Sequence, residues 1–211
     1  MSLYDDVNNI LDKTLQEVFE NDNYGILSSY EKRRKIFTHL TNSLKYDYET
    51  FYGIKSGIEN HHRTRRNPKE EFQNVVFNKI GICNAISQFY KLLLEKVEIK
   101  AYCVICDDGT SVGHQLNLVY DEDNDCYSFD DVTSVIVGRG TEQEYFDYDL
   151  EFAHSLNQGN KSFRNNQNYL FLEEPYVNGV VSREHSPYKT IRELPENIYS
   201  IKLLNGNNYE N

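Results

Sequence analysis

No tryptophan occurs in the chain, so its large burial units are 17 tyrosines and 11 phenylalanines spread along the sequence. Positive charge is scarce: 22 lysines and arginines face 33 aspartates and glutamates, a formal net charge of -11. Such a surface repels phosphate, which excludes a general binder of nucleic acid or anionic membranes. Its two basic clusters, KRRK at 32–35 and HHRTRR at 61–66, read as a solvated helix face and a basic loop. No window approaches the roughly 20 apolar residues of a membrane span. The opening MSLYDDVNNI has neither the basic nor the apolar region of a signal peptide. These absences predict a cytoplasmic protein with no membrane and no nucleic-acid partner. Four thiols, Cys83, Cys103, Cys106 and Cys126, do not make a dense disulfide framework and fit a reducing compartment.

What is present fits one main domain with a wet surface. The 211 residues are 26% charged with a mean hydropathy of -0.68, and they suffice for a sizeable core. Apolar residues at Leu3, Val7, Ile10, Leu11, Leu15, Val18 and Phe19 keep helical spacing over 3–20. Ser28 with Glu31 three residues on reads as a capping box, opening a second helix through Ile36, Phe37, Leu40 and Leu44 that ends near KYDYE at 45–49. Residues 53–70, with two glycines, a proline and the basic run, read as a loop, followed by a short helix from Lys69 to Phe77. After Gly81, the positions Ala85, Ile86, Phe89, Tyr90, Leu93, Leu94 and Val97 predict a deeply buried central helix. Strands then follow at 99–106, 114–120 and 126–133, with a further strand at 198–204. A helix packed on an antiparallel sheet makes an α+β domain. The division is an N-terminal helical segment over 1–45 and an α+β domain over 46–211, forming one structural unit.

Cys83 stands where the central helix begins. Unsatisfied N–H groups and the positive end of the helix dipole favour a thiolate there, although free cysteine often merely packs. His114 opens a strand just after Gly113, and Asp131 ends the next one. Two neighbouring antiparallel strands bring an imidazole and a carboxylate side by side, with the helix presenting the thiol. In that arrangement His114 pairs with the thiolate and Asp131 orients the ring.

KYDYE (45–49), GICNAISQFYKLLLEKVEIKAYCV (81–104) and GHQLNLVYDEDNDCYSFDDVT (113–133) resemble the transglutaminase-like superfamily of papain-fold enzymes. Members carry Gly-x-Cys at a helix start, a histidine opening a strand and Asp-x-Thr ending the next. Gly81-Ile82-Cys83, His114-Gln115-Leu116-Asn117 and Asp131-Val132-Thr133 match in order and spacing. The resemblance implies a papain-like core whose central helix carries the nucleophile and packs on an antiparallel sheet. Its Asp-x-Thr pattern selects Asp131 over Asp130, and strand alternation agrees, putting Asp131 on one face with Tyr127 and Phe129. It also implies an oxyanion site from the Cys83 backbone N–H and one side-chain donor, for which Gln73 and Tyr46 are both candidates. Leu116 and Tyr127 stand where many members have Trp, and Asn84 follows the cysteine; these departures alter pocket lining more than the triad.

The expected activity is acyl transfer at amide bonds of a peptide or protein substrate, with no cofactor and no metal. A peptidase or amidase is favoured over a cross-linking transglutaminase, because DEDND at 121–125 lacks the glycine and terminal glutamate of a calcium loop and reads as a hairpin turn. A catalytically silent binding module is the alternative from another class. Cys103 and Cys106, three apart on a strand, point to opposite faces and read as buried cysteines rather than half of a zinc site. His39, His61, His62, His154 and His185 carry no ligand signature.

Overall fold

In the computed structural model, residues 3–20, 22, 24–59, 68–106, 113–148 and 170–171 are described. The expected strand at 198–204 lies outside them, as do His61, His62, His154 and His185.

Helix α1 (Leu3–Val18) buries Val7 and Leu11. Helix α2 (Ser29–Ser43) starts at the anticipated capping box: the Glu31 N–H donates to Ser28 Oγ at 3.2 Å and the Ser28 N–H to Glu31 Oε2 at 2.9 Å. Substituting such a cap costs about 1 kcal/mol. A two-residue strand β1 (Lys45–Tyr46) then leads into helix α3 (Tyr48–Glu59).

Helix α3 corrects the expected loop at 53–70. Asp47 accepts the Thr50 N–H at 2.9 Å and the Thr50 hydroxyl at 2.8 Å, and Ile54 is buried at 6% exposure. That cap and anchor outweigh Gly53 and Gly57, each of which weakens a helix by only about 1 kcal/mol. Helix α4 (Pro68–Asn78) takes its proline at the first position, where no backbone donor is lost. Strand β2 (Ile80–Gly81) pairs in parallel with β1, Tyr46 opposite Gly81.

Helix α5 (Cys83–Lys96) is the centre of the molecule, with every residue from Asn84 to Leu94 buried. A helix buried on all sides needs neighbours on all sides; α1, α2, α4, the short helix Val132–Ile136 and three strands supply them. Full burial of each large side chain such as Phe89, Leu93 or Leu94 stabilises the fold by about 1.5–3 kcal/mol.

The main sheet has the order β5-β4-β3-β6 with antiparallel neighbours. Its strands are β3 (Ala101–Cys106), β4 (His114–Asp121), β5 (Cys126–Asp130) and β6 (Leu170–Phe171). The aspartate-rich turn between β4 and β5 closes on itself, Asp121 accepting the N–H groups of Asp123 at 3.0 Å and Asn124 at 3.2 Å. The third strand ends at Asp130 rather than running to 133. Asp131 instead caps a short helix, α6 (Val132–Ile136), because its carboxylate offers Ser134 a better acceptor than another strand residue would. Helix α7 (Glu142–Tyr145) follows.

A second correction concerns the basic run at 32–35. Arg33 is 2% exposed, not part of a solvated face. Its Nε and Nη2 each reach Asp130 at 2.6 Å and its Nη1 reaches Asp147 at 3.0 Å. Burial disfavours the guanidinium charge, but Asp130 and Asp147 outweigh it and hold the group cationic. Tyr90 of α5 donates to the same Asp130 at 2.7 Å, so this buried charge ties α2, α5 and β5 together.

Candidate functional site

The N-terminus of α5 is uncapped by any side chain at its N-cap, Ile82, whose extended backbone (φ -100, ψ 173) leads into the helix. An apolar residue at that position forgoes the hydrogen bond a Ser or Asp would supply. The Ala85 N–H is taken by Asn84 Oδ1 at 2.7 Å, and the positive dipole end still faces the first residue of the helix, Cys83. Gly81 lets this segment approach α4: a Cβ there would lie 3.0 Å from the Val75 Cβ. Between Gly81 and Leu94, Cys83 is the one residue that is not fully buried.

His114 enters from the other side of the site. Gly113 precedes it at φ +71, a left-handed conformation that glycine adopts without strain, and the imidazole is 7% exposed. Its Nε2 lies 2.7 Å from Asp131 Oδ2. Because that carboxylate accepts, Nε2 carries the proton, and the ring that holds it is the group that most lowers the Cys83 thiol against burial. Asp131 is itself anchored, accepting the Ser134 N–H at 2.9 Å and the Ser134 hydroxyl at 2.6 Å.

Burial opposes ionisation of Cys83, but the hydrogen bond and charge of His114, with the Gln115 backbone N–H, outweigh it and hold the thiol below its ordinary value. For His114 burial again works against charge, and Asp131 followed by Cys83 overturns it, raising the imidazole to about 10. Burial likewise raises the Asp131 carboxyl, yet His114 and Ser134 bring it below the usual range. All three shifts run toward the charged form of their group. Cys103 is the contrast, since burial pushes its thiol up to about 11, which keeps it a neutral packing group. The Cys106 side chain lies outside the described set.

A cleft of about 660 Å³ opens beside the segment that leads into α5, and Cys83, His114 and Asp131 are not among its lining residues. Gly81 and Ile82, the two residues before Cys83, form its edge together with Asp47, Thr50, Gln73 and Phe77. Of the two oxyanion candidates, Gln73 lines this cleft. Tyr46 lies opposite Gly81 in the strand pair, and its ring packs against Tyr48 at 5.0 Å and Phe51 at 5.8 Å between centroids. Asp130, the rival to Asp131, meets Arg33 and Tyr90 instead of His114.

Sequence reasoning named Asn84 and Gln115 only as neighbours within the matched motifs, and it did not bring out Ser134 or Ser87. For Ser134 a signal was present: an aspartate with a hydroxyl residue three positions on is a helix-start pattern. Gln115 donates through Nε2 to Ser87 Oγ at 2.6 Å and to the Asn84 carbonyl at 3.2 Å. No short motif announces that pairing, because its partners lie 28 and 31 residues apart.

No family model matches the chain, and no curated protein matches it. Among solved structures it is similar in fold to a crystal structure of a TGase, a transglutaminase, with a TM-score of 0.51 and 16% identity. The match covers 63% of this chain and 32% of that one, so the chain spans about a third of its relative's length. The likeness is one of fold. Among the described residues, no helix is long and apolar enough to cross a membrane.

Proposed function

We propose that the protein is a thiol-dependent peptidase or amidase of the papain-like, transglutaminase-like type, with Cys83 as nucleophile, His114 as acid–base partner and Asp131 as orienting carboxylate. One observation carries this reading: a buried imidazole lies 2.7 Å from the Asp131 carboxylate and lowers a thiol that opens the central helix. Titratable groups perturbed by burial together with specific charge partners cluster at functional sites.

In this reading the Cys83 thiolate attacks an amide carbonyl carbon of a peptide or protein lying in the cleft. The tetrahedral oxyanion is met by the Cys83 backbone N–H and by Gln73, the candidate that lines the cleft. The C–N bond breaks, the amine leaves with the proton from His114, and a thioester remains. Water, giving a proton to His114, then attacks the thioester; the C–S bond breaks, a carboxylic acid departs and the thiolate–imidazolium pair is restored. An amine in place of water gives a cross-linked product from the same thioester. Hydrolysis is favoured over cross-linking because the aspartate-rich turn has Cys126 and Val132 where a calcium loop needs glycine and a terminal glutamate.

The test is thiol reactivity. Iodoacetamide at about pH 6 should alkylate Cys83 much faster than free cysteine, since only an activated thiol is ionised there, and Cys83→Ala should abolish the fast phase. Labelling of Cys83 at the free-cysteine rate would remove the enzymatic reading and leave a silent binding module.

A further inference from the structure

We propose that Gln115 is a positioning residue, whose buried side-chain amide fastens the start of β4 to the first turns of α5 and so sets how His114 approaches Cys83. The inference rests on the reading of those two residues as acid–base partner and nucleophile.

The bracket is short on both sides. Gln115 is the next residue after His114, and Asn84 is the next residue after Cys83, so one amide joins the neighbours of the two reacting groups. Its Nε2 donates to the Asn84 carbonyl at 3.2 Å and to Ser87 Oγ at 2.6 Å. The Ser87 hydroxyl passes its own proton to the Asn84 carbonyl at 3.1 Å. Gln115 is 4% exposed, Ser87 2% and Asn84 6%. Both amide protons thus have protein acceptors and the hydroxyl both donates and accepts. In a buried setting such a closed set of partners holds one geometry, because slipping the strand by even an ångström would strand polar atoms away from water.

The Gln115 backbone N–H and the His114 ring are both among the groups that draw the Cys83 thiol toward its anion. A side chain that fixes this start of β4 therefore sets where both of them stand relative to α5. Transfer between nucleophile and base is steep in geometry, and displacement by about 1 Å can cost on the order of 100-fold in rate.

Asn117 supplies the comparison. It lies two residues further along β4 and also reaches α5, its Nδ2 donating to the Ser87 carbonyl at 2.9 Å, but it adjoins neither reacting residue. If these amides only satisfy the core, Gln115 and Asn117 are equivalent. If Gln115 positions the pair, only it governs thiol ionisation.

The experiment is the pH profile of Cys83 alkylation by iodoacetamide, with thermal unfolding measured on each full-length variant. In Gln115→Leu the acid limb should move up by about one pH unit, seen as roughly tenfold slower labelling near pH 6. Ser87→Ala should shift it in the same direction by less, and Ser87→Thr, which keeps the hydroxyl, should restore the native profile. Asn117→Leu should lower the melting temperature with the profile unmoved. Folded Gln115→Leu and Ser87→Ala with native profiles would overturn the proposal while leaving the proposed function standing. If Gln115→Leu does not fold, Ser87→Ala decides alone by the same criterion. Should native Cys83 itself label at the free-cysteine rate, the proposed function falls and this inference falls with it.

Discussion

Asp130 and Asp131 are consecutive, both are buried, and they serve unrelated partners. Asp130 holds Arg33 through two 2.6 Å contacts, whereas Asp131 holds His114 at 2.7 Å. The strand ends between them, which sends the first carboxylate toward α2 and α5 and makes the second the cap of α6. One step along the chain thus separates the charge that ties the fold together from the charge that faces the imidazole.

Substitution should separate the two roles. Asp130→Ala leaves a buried guanidinium facing a single remaining carboxylate, and loss of one partner of such a pair costs about 3–5 kcal/mol. For a chain of this size that is a fall in melting temperature on the order of 10 °C. Asp131→Asn gives up the stability of its own buried pair with His114, and it should in addition slow amide hydrolysis by about 100- to 10,000-fold, the range over which a misoriented acid–base histidine loses its contribution, which Asp130→Ala should not do. Calorimetry and a peptide-hydrolysis assay check the pair; a reversed pattern would refute the assignment.

The directions of the shifts predict a bell-shaped rate profile. The Cys83 thiol is held below its ordinary value chiefly against burial, by His114, so the acid limb falls below the usual thiol range. His114 is raised to about 10, with Asp131 the leading cause that overcomes burial, so the alkaline limb lies near that pH. Stability follows the same sign. The contribution from His114 is fully present below about pH 6.5, its ordinary value, and is lost as pH rises through about 10. Asp131, held low by His114 and Ser134 against burial, contributes above about pH 4 and loses that contribution as pH falls through its depressed value. Asp131→Asn should draw the alkaline limb of the rate profile down toward neutrality, read from initial rates across pH.

Alkylation should also be selective. Native protein treated with iodoacetamide near neutral pH should be modified at Cys83, while Cys103, 6% exposed and pushed up to about 11 by burial, and Cys126, 0% exposed, remain thiols until the chain is unfolded. Peptide mass mapping before and after denaturation measures this. Rapid native modification of Cys103 would contradict its packing.

Much of this arrangement was legible in the sequence where the signal is local. The helical spacing from Ala85 to Val97 announced a buried α5, and Ser28 with Glu31 announced α2. Gly81-Ile82-Cys83, His114 and Asp131 were legible by order and spacing through a family resemblance. What was missed depends on distant partners. Arg33 sits in a basic run of ordinary appearance, and its burial follows from an aspartate 97 residues away. Helix α3 was hidden by two glycines, whose local cost is overridden by the Asp47 cap and the burial of Ile54. Asp131, not Asp130, neighbours His114, but strand alternation is not what puts it there: the strand ends at Asp130, and the helix cap sets the direction of Asp131.

Gly113 tests how tightly the approach of His114 is set by backbone alone. At φ +71 an L-residue is strained by about 1–2 kcal/mol, and rotation of the peptide that leads into His114 is one way to relieve it. Gly113→Ala should therefore lower the melting temperature by a few degrees, about 2–4 °C per kcal/mol at this size. It should lower the rate of Cys83 alkylation by more than the loss of stability accounts for, since relief by that rotation moves the imidazole. Gly138→Ala is the matched control: it sits at φ +73 with open space around its Cβ position and outside the site, so it should lose the same stability while its thiol reacts as in the native protein. Equal thiol reactivity in both variants would mean that the ring is held by Asp131 and its surroundings, not by the turn that precedes it.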